Sequence, residues 1–317
     1  MAELCVCVPT ARRPAMVARL LENLAAQTRL PDEILIVDAS QDDETQAVVS
    51  DWQGRFPDTL RLVKSSLGLT LQRNVGIDHT QADFICMLDD DVLLEADCLE
   101  QLEAFLLSPD GEAYGAVSAY ITNEYGRDFF KYQKLYRRLG IYDGELKPGR
   151  WLYCGDFLEL STLKPFDGIH RSEFIPAGAA LFRRQTLMQV RPDSNFRFGG
   201  EDKHLTLRIS QHYPIGVLGR ARLRHDHVPG GVRRSPWLQG MFSMRNKAII
   251  LRECDPQPRW FRYIIHLIFQ FIDLARAGAG NILTGRWKNL PWIFGSWAGW
   301  GWNLFVPPAV RSKRTLV

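Results

Sequence analysis

Short apolar runs alternate with amphipathic stretches through the first hundred residues. Leu4 to Val8 is the first run and predicts a strand. Residues 14–27 follow, with Val17, Leu20, Leu21 and Leu24 at helical spacing and Pro14 suited to a first helical turn. Glu33–Asp38 predicts a second strand, 43–52 a helix, Leu60–Val63 a third strand and 70–79 a helix. Asp83–Leu88 predicts a fourth strand and 95–107 the helix after it. Strands apolar at nearly every position are buried on both faces, as in a parallel sheet covered by helices. The βαβα order therefore predicts an α/β fold with a doubly wound, mostly parallel sheet and flanking helices. Such sheets bind ligands beyond the carboxyl ends of their strands. Here those ends carry Pro9-Thr10-Ala11-Arg12-Arg13, Asp38-Ala39-Ser40 and Asp89-Asp90-Asp91.

The pattern changes further on. Residues 120–170 are irregular and aromatic, from Phe129 and Phe130 through Trp151 and Tyr153. Aromatic packing is the ordinary reason for such residues, with stacking on a sugar as the alternative for Trp151 and Tyr153. Phe174–Arg183 predicts another strand with Gly178 inside it, and 201–212 a helix opened by Glu201-Asp202. Over 260–275, Arg262, His266, Gln270 and Asp273 recur at helical spacing in an otherwise apolar segment, which predicts a helix with one narrow polar stripe. Residues 292–306 are uncharged and rich in tryptophan. That stretch is shorter than the roughly 20 residues of a spanning helix, and its glycines and flanking prolines read as interruptions.

Composition bounds the readings. The chain has 317 residues, 46% of them hydrophobic, so wholesale disorder is excluded. Cysteines at 5, 7, 86, 98, 154 and 254 form no C-x-x-C pair, which disfavours zinc and a disulfide scaffold. Cys5 and Cys7 share one face of a strand and would pack there. A reducing compartment fits, and the N-terminus lacks the basic start and long apolar run of a signal peptide. The net charge of +3 speaks against a dedicated nucleic-acid binder. It also hides an asymmetry. Residues 226–317 carry thirteen Lys or Arg against four Asp or Glu, a net of +9, while residues 1–225 carry twenty-six against thirty-two, a net of −6.

Several clusters carry candidate chemistry. Three adjacent carboxylates, Asp89, Asp90 and Asp91, need a compensating cation. On a strand Asp89 and Asp91 point the same way and could share a metal with a diphosphate; a solvated, helix-capping turn is the plain alternative. Asp38 could accept hydrogen bonds from a ribose or base, or cap the next helix. In Arg73-Asn74-Val75-Gly76, Arg73 could face a phosphate, or the stretch could be an ordinary helix. Gly199-Gly200-Glu201-Asp202 sets two acids at a helix N-terminus, where the dipole favours their ionised form. Such a carboxylate can take a proton from a hydroxyl, or merely cap. His225-Asp226-His227 offers two imidazoles that could complete a metal shell or form a polar turn.

In chain order, these elements resemble the family 2 glycosyltransferases, inverting enzymes of the GT-A fold. The matching stretches are Val8-Pro9-Thr10 with Arg12, then Ile36-Val37-Asp38-x-Ser40-x-Asp42 with Thr45, Arg73-Asn74-x-Gly76 and Leu88-Asp89-Asp90-Asp91. Gly200-Glu201-Asp202 before Leu205 and Arg208, and Met244-Arg245-Asn246, complete the set. The resemblance implies a nucleotide-diphosphate sugar as donor and a divalent metal, Mg²⁺ or Mn²⁺. It implies that Pro9 and Thr10 shape the base pocket with Arg12 nearby, that Asp38 contacts the nucleoside, and that Arg73 approaches the donor. Asp89 and Asp91 match the D-x-D pair, with Asp90 between them. It implies Asp91 as the direct metal ligand and Asp89 nearer the ribose or sugar, with His225 and His227 as the further metal candidates. Asp202 matches the base, supported by Glu201. The Gln-x-x-Arg-Trp motif of processive synthases is not recognisable, which implies one transfer per encounter. Two other readings stay open. One is a sugar-phosphate nucleotidyltransferase, against which the first strand's loop lacks glycine. The other is a catalytically inactive nucleotide-sugar binding module.

The expected organisation is a nucleotide-sugar domain over 1–225 and a basic, Trp-rich amphipathic helical extension over 226–317. Six of nine tryptophans fall between 260 and 302, which with the +9 suits an anionic membrane surface. A peripheral enzyme at the cytoplasmic face of a membrane follows, acting on a glycan or lipid-linked saccharide. Packing on the catalytic domain or on a second subunit of a homo-oligomer is the other use for such helices. Nucleic acid is not an expected partner.

Overall fold

The structure is a computed structural model that describes residues 2–125, 138, 147–152, 155–196, 199–228, 235–254 and 260–305. The chain divides into two compact units, each drawn from three stretches. The first comprises Met1–Arg127, Leu160–Ser194 and Leu205–Val232; the second comprises Asp128–Glu159, Asn195–His204 and Arg233–Val317.

The first unit holds a single sheet. Its strands are β1 (Leu4–Thr10), β2 (Glu33–Asp38), β3 (Leu60–Lys64), β4 (Phe84–Leu88), β5 (Val92–Leu94), β6 (Ala116–Ile121), β7 (Ile169–Ser172), β8 (Ala179–Arg183) and β9 (Ile215–His225). Their order is β3-β2-β1-β4-β8-β6-β9-β5, with β7 also paired to β9. The block β3-β2-β1-β4 is parallel throughout. β8 enters antiparallel between β4 and β6, and β6 runs parallel to β9. The helices are α1 (Pro14–Ala25), α2 (Glu44–Trp52), α3 (Leu69–Asp78), α4 (Cys98–Leu107), α5 (Arg184–Gln189) and α6 (Glu201–Ser210). The expected fold class holds.

Period-2 alternation explains why the early strands are apolar at every position. Leu4, Val6 and Val8 of β1 join Val17, Leu20, Leu21 and Leu24 of α1 in one core. Cys5 and Cys7 turn the other way and join Ile77 of α3 and Leu205 and Ile209 of α6. Gly76 lets α3 close on β1, since a Cβ there would overlap the Cys7 sulfur. Cys5, Cys7, Cys86, Cys98 and Cys254 are buried and form no disulfide. Tyr153 and Cys154 lie outside the described residues, as do Phe129 and Phe130.

The strand expected over Phe174–Arg183 is shorter, Ala179–Arg183 alone. Pro176 lacks the N–H a ladder needs, and Gly178 belongs to the turn that admits the chain to the sheet.

In the second unit the long helices are α7 (Pro236–Cys254), α8 (Trp260–Leu283) and α9 (Leu290–Phe305). α7 and α9 pack backbone against backbone. Gly240 faces the Trp292 carbonyl, Gly295 the Trp237 carbonyl and Gly299 the Met241 carbonyl, and a Cβ at any of the three would overlap its partner. Of the glycines expected to interrupt 292–306, Gly295 and Gly299 instead line the contact of one continuous helix, and Gly301 faces open space. Asn303 Nδ2 donates to the Met244 carbonyl (3.0 Å) in the same seam. The polar stripe of α8 is inverted relative to solvent: His266 and Gln270 are buried, while Phe261, Ile264, Ile268 and Phe271 are exposed. Among the described residues no helix is long and apolar enough to cross a membrane.

Candidate active site

Three carboxylates stand where β4 ends and β5 begins, and the first unit gives each a different neighbour. Asp90 is buried. It accepts a hydrogen bond from Thr10 Oγ1 at the end of β1 (2.7 Å) and pairs with Arg13 Nη1 (2.6 Å). Asp91 Oδ2 accepts from Arg13 Nη2 (3.0 Å) and from the Val228 N–H (2.9 Å). Its Oδ1 lies 3.1 Å from His225 Nε2. Asp89 is partly exposed, with Arg73 Nη2 at 3.3 Å from Oδ1 and His225 Nε2 at 4.0 Å from Oδ2. Gly178 makes room for Asp89, because a Cβ there would overlap the carboxylate.

These neighbours set the protonation states. Burial raises the Asp90 carboxyl to about 6; Thr10 and Arg13 oppose that rise, and Asp91 and Asp89 add to it. Burial also works against charge on Asp91, but His225 and Arg13 outweigh it and hold that carboxyl well below the usual range. Burial disfavours the charged His225 ring, yet the bond to Asp91 and the carboxylates of Asp89 and Glu124 raise its pKa.

One oxygen each from Asp89 and Asp91 and a ring nitrogen of His225 lie within 4.8 Å of one another. Two carboxylates and an imidazole are a donor set that suits Mn²⁺ and is compatible with Mg²⁺. Glu124 adds a second grouping with His225 and His227. Its Oε1 lies 2.6 Å from His227 Nε2, and the two imidazole rings are tilted by 31° with centroids 3.9 Å apart. His227 holds a left-handed backbone, φ 49°.

The other expected residues have other neighbours. Pro9 sits in β1, in register with Val37. Arg12 turns the chain at φ 56°, and its N–H donates to Ser40 Oγ (2.7 Å). The guanidinium that reaches the carboxylates is that of Arg13. Asp38 is buried at the end of β2. It accepts from the Ser40 N–H (2.9 Å) and Ser40 Oγ (2.6 Å) and pairs with Lys64 (2.9 Å). Gln72 Nε2 ties the same strand ends, donating to the carbonyls of Thr10 and Val37 (2.8 and 2.9 Å). Asn74 Nδ2 donates to the Pro192 carbonyl (2.9 Å), so only Arg73 of its motif meets the carboxylates.

Glu201 and Asp202 belong to the second unit, in the first turn of α6. Gly199 and Gly200 take φ of 102° and 85°, which only glycine adopts cheaply. Asn246 Nδ2 on α7 donates to the Gly199 carbonyl (2.6 Å), which gives the Met244-Arg245-Asn246 stretch its role. Asp202 Oδ1 accepts the Lys203 N–H (2.8 Å). Lys203 Nζ pairs with Glu159 (2.6 Å) and lies 4.4 Å from the Phe157 ring centroid. Phe157 in turn meets Trp151 edge-on. The signal for Trp151 in the sequence was packing, and packing is what it does. Arg13, Gln72, Glu124 and Gly178 were not read as site residues; only the doubled arginine after β1 was a signal.

A carboxylate cluster with a histidine at the strand ends of this sheet defines a candidate nucleotide-sugar site of the GT-A kind. Residues 5–162, about half of the chain, match the family described as Glycosyl transferase family 2. An uncharacterized glycosyltransferase of Haemophilus influenzae is 36% identical over 88 residues, which are 28% of this chain and 29% of that relative. Among solved structures, the mannosyltransferase PcManGT from Pyrobaculum calidifontis, in complex with GDP-Man and Mn²⁺, superposes with a TM-score of 0.59. It is 19% identical, over 97% of this chain and 88% of that one. Residues 1–349 of S. aureus TarS, in complex with UDP-GlcNAc, superpose with a TM-score of 0.54 at 19% identity, over 84% and 71% of the two chains. At such identities the superpositions speak for the fold. The chain belongs to glycosyl transferase family 2.

Proposed function

We propose that the protein transfers a sugar from a nucleotide-diphosphate sugar to an acceptor hydroxyl in one inverting displacement. The observation that carries this is the convergence of Asp89, Asp91 and His225 beyond the carboxyl end of β4. These three would hold Mg²⁺ or Mn²⁺, and a cation there neutralises charge on the departing diphosphate. Arg13 and the Val228 N–H fix Asp91 Oδ2, which leaves Oδ1 on the His225 side. Arg73, buried and cationic, orients Asp89 and lends positive charge toward the donor phosphates. Pro9, Thr10, Arg12 and Asp38 border the nucleoside. Asp202, in the first turn of α6, removes the acceptor proton with Glu201 beside it. The new bond forms from that oxygen to the anomeric carbon while the carbon–phosphate-oxygen bond breaks, and the nucleoside diphosphate leaves unprotonated. The acceptor is a glycan or a lipid-linked saccharide at the cytoplasmic face of a membrane.

The test is release of nucleoside diphosphate from a panel of UDP- and GDP-sugars, with and without Mn²⁺. Wild type should respond to Mn²⁺. Asp91→Asn and Asp202→Asn should each lose at least about a hundredfold in rate while keeping the native circular dichroism. Full activity of Asp202→Asn removes the assigned base. Pyrophosphate released from a nucleoside triphosphate and a sugar phosphate would instead identify a nucleotidyltransferase. Binding of a nucleotide sugar without turnover would identify a binding module.

A further inference from the structure

Helix α8 carries its apolar side outward. Phe261, Ile264, Ile268 and Phe271 recur at three- and four-residue spacing, so they form one helical stripe, and each is 37–50% exposed. Two polar residues of the same helix have gone the other way, His266 at 0% and Gln270 at 2% exposed, while Arg262 and Asp273 stay partly exposed. Burial of polar groups beneath an exposed greasy stripe is the reverse of what water selects. The stripe does not end at α8. Phe271 meets Trp297 and Trp300 of α9 at centroid distances of 5.3 and 5.4 Å, and Trp300 Nε1 donates to the Leu267 carbonyl (2.8 Å). Phe294 and Phe305 of α9 are exposed as well.

We propose that this face docks the protein on an anionic lipid bilayer, lying in the interface without crossing it. The surrounding chemistry selects that occupant. Over 260–305 there are four Lys or Arg and one Asp or Glu, and Asp273 is paired with Arg276. Exposed Trp260 and Trp287 and exposed Arg286 and Lys288 add the aromatic and cationic groups that settle at lipid headgroups. A second copy of the chain would bring another net-positive segment, four basic against one acidic residue over 260–305, against this one, whereas an acidic headgroup layer complements it. No described helix can span, so the contact stays on one leaflet. The proposal deepens the membrane-acceptor reading above and rests on it only for the use to which the surface is put.

The experiment is sedimentation of the full chain with vesicles of phosphatidylcholine alone or mixed with phosphatidylglycerol. Wild type should sediment with the mixed vesicles and far less with the neutral ones. Ile264→Glu with Ile268→Glu should weaken partition by about tenfold or more, with the thermal transition shifted far less than the partition because both side chains are already about half exposed. Leu107→Glu, at an exposed leucine of α4, is the control and should partition as wild type. The proposal is overturned by equal sedimentation of wild type and the double variant, by equal binding to both vesicle types, or by no binding. It is also overturned if wild type is a dimer in solution that the double variant splits, since a second copy then covers the face. Vesicle binding without sugar transfer leaves this proposal standing and counts against the transfer reading; transfer to a soluble acceptor without vesicle binding does the reverse.

Discussion

Asp90 has the most deeply buried side chain of the carboxylate cluster. It is buried, and its pKa of about 6 makes it a titrating group in the folded chain at mildly acid pH. A folded-state pKa above the unfolded one means the group favours folding in its protonated form. Its contribution is complete below about pH 4 and is lost as pH rises through about 6. Asp90→Asn should therefore flatten the fall in unfolding free energy between pH 4 and 7, measured by denaturant titration without divalent metal, by an amount on the order of 1–3 kcal/mol. Asp91 has the opposite sign, and its share disappears only in stronger acid. Gly178 gives a second prediction. Gly178→Ala should push Asp89 from its place, cost about 1–3 kcal/mol of stability and weaken Mn²⁺ binding measured by titration calorimetry. Unchanged Mn²⁺ affinity would separate Asp89 from the metal. The carboxylates were legible in the sequence because all three follow one apolar strand. Arg13 was not, because two adjacent arginines differ only in the turn between them, and the left-handed backbone at Arg12 decides which one enters the cluster. Glu124 and Gly178 meet the site across the sheet, a relation no local pattern records.

At the scale of elements, the early strands and helices were legible because each strand is buried on both faces and each helix on one. β5 has three residues, and β9 alternates small or apolar positions with Arg220, Arg222 and Arg224, so neither forms an apolar run. The direction of α8 was illegible for another reason: amphipathic spacing fixes a stripe but not which side faces water. The α7–α9 seam makes a prediction of its own. Gly299→Val places a branched side chain where the Met241 backbone passes. It should separate the helices at a cost of about 3 kcal/mol or more, seen as loss of helical circular dichroism at lower temperature. Asn246→Ala should be milder, about 1 kcal/mol, and should reduce the transfer rate more than the stability because the turn it holds carries Glu201 and Asp202.

At the scale of the molecule, the chain passes between its two units five times, and α6 itself divides at His204 and Leu205. Neither unit is a continuous piece of sequence, so heating should melt them together. The tryptophans make this measurable. Eight of the nine lie in the second unit and only Trp52 in the first, whereas the carboxylate cluster belongs to the first. Mn²⁺ with a nucleoside diphosphate should raise the tryptophan-emission transition by the same number of degrees as the transition in total secondary structure. A tryptophan transition left in place while the other moves would mean the units melt separately.

The order of the sheet has a consequence for how the protein is made. β4 sits between β1 and β8, yet β6 is translated before β8. While the ribosome adds the residues from Leu88 to Ala179, the finished parallel block has an open edge at β4. β6 is the nearest strand in time and the wrong one in space, for β8 must come between them. The nascent chain must therefore leave that edge unpaired across some ninety residues of synthesis, a wait of several seconds at about 5–20 residues per second. Chaperone demand and the effect of slow codons should concentrate in that interval, which opens on Asp89, Asp90 and Asp91 themselves.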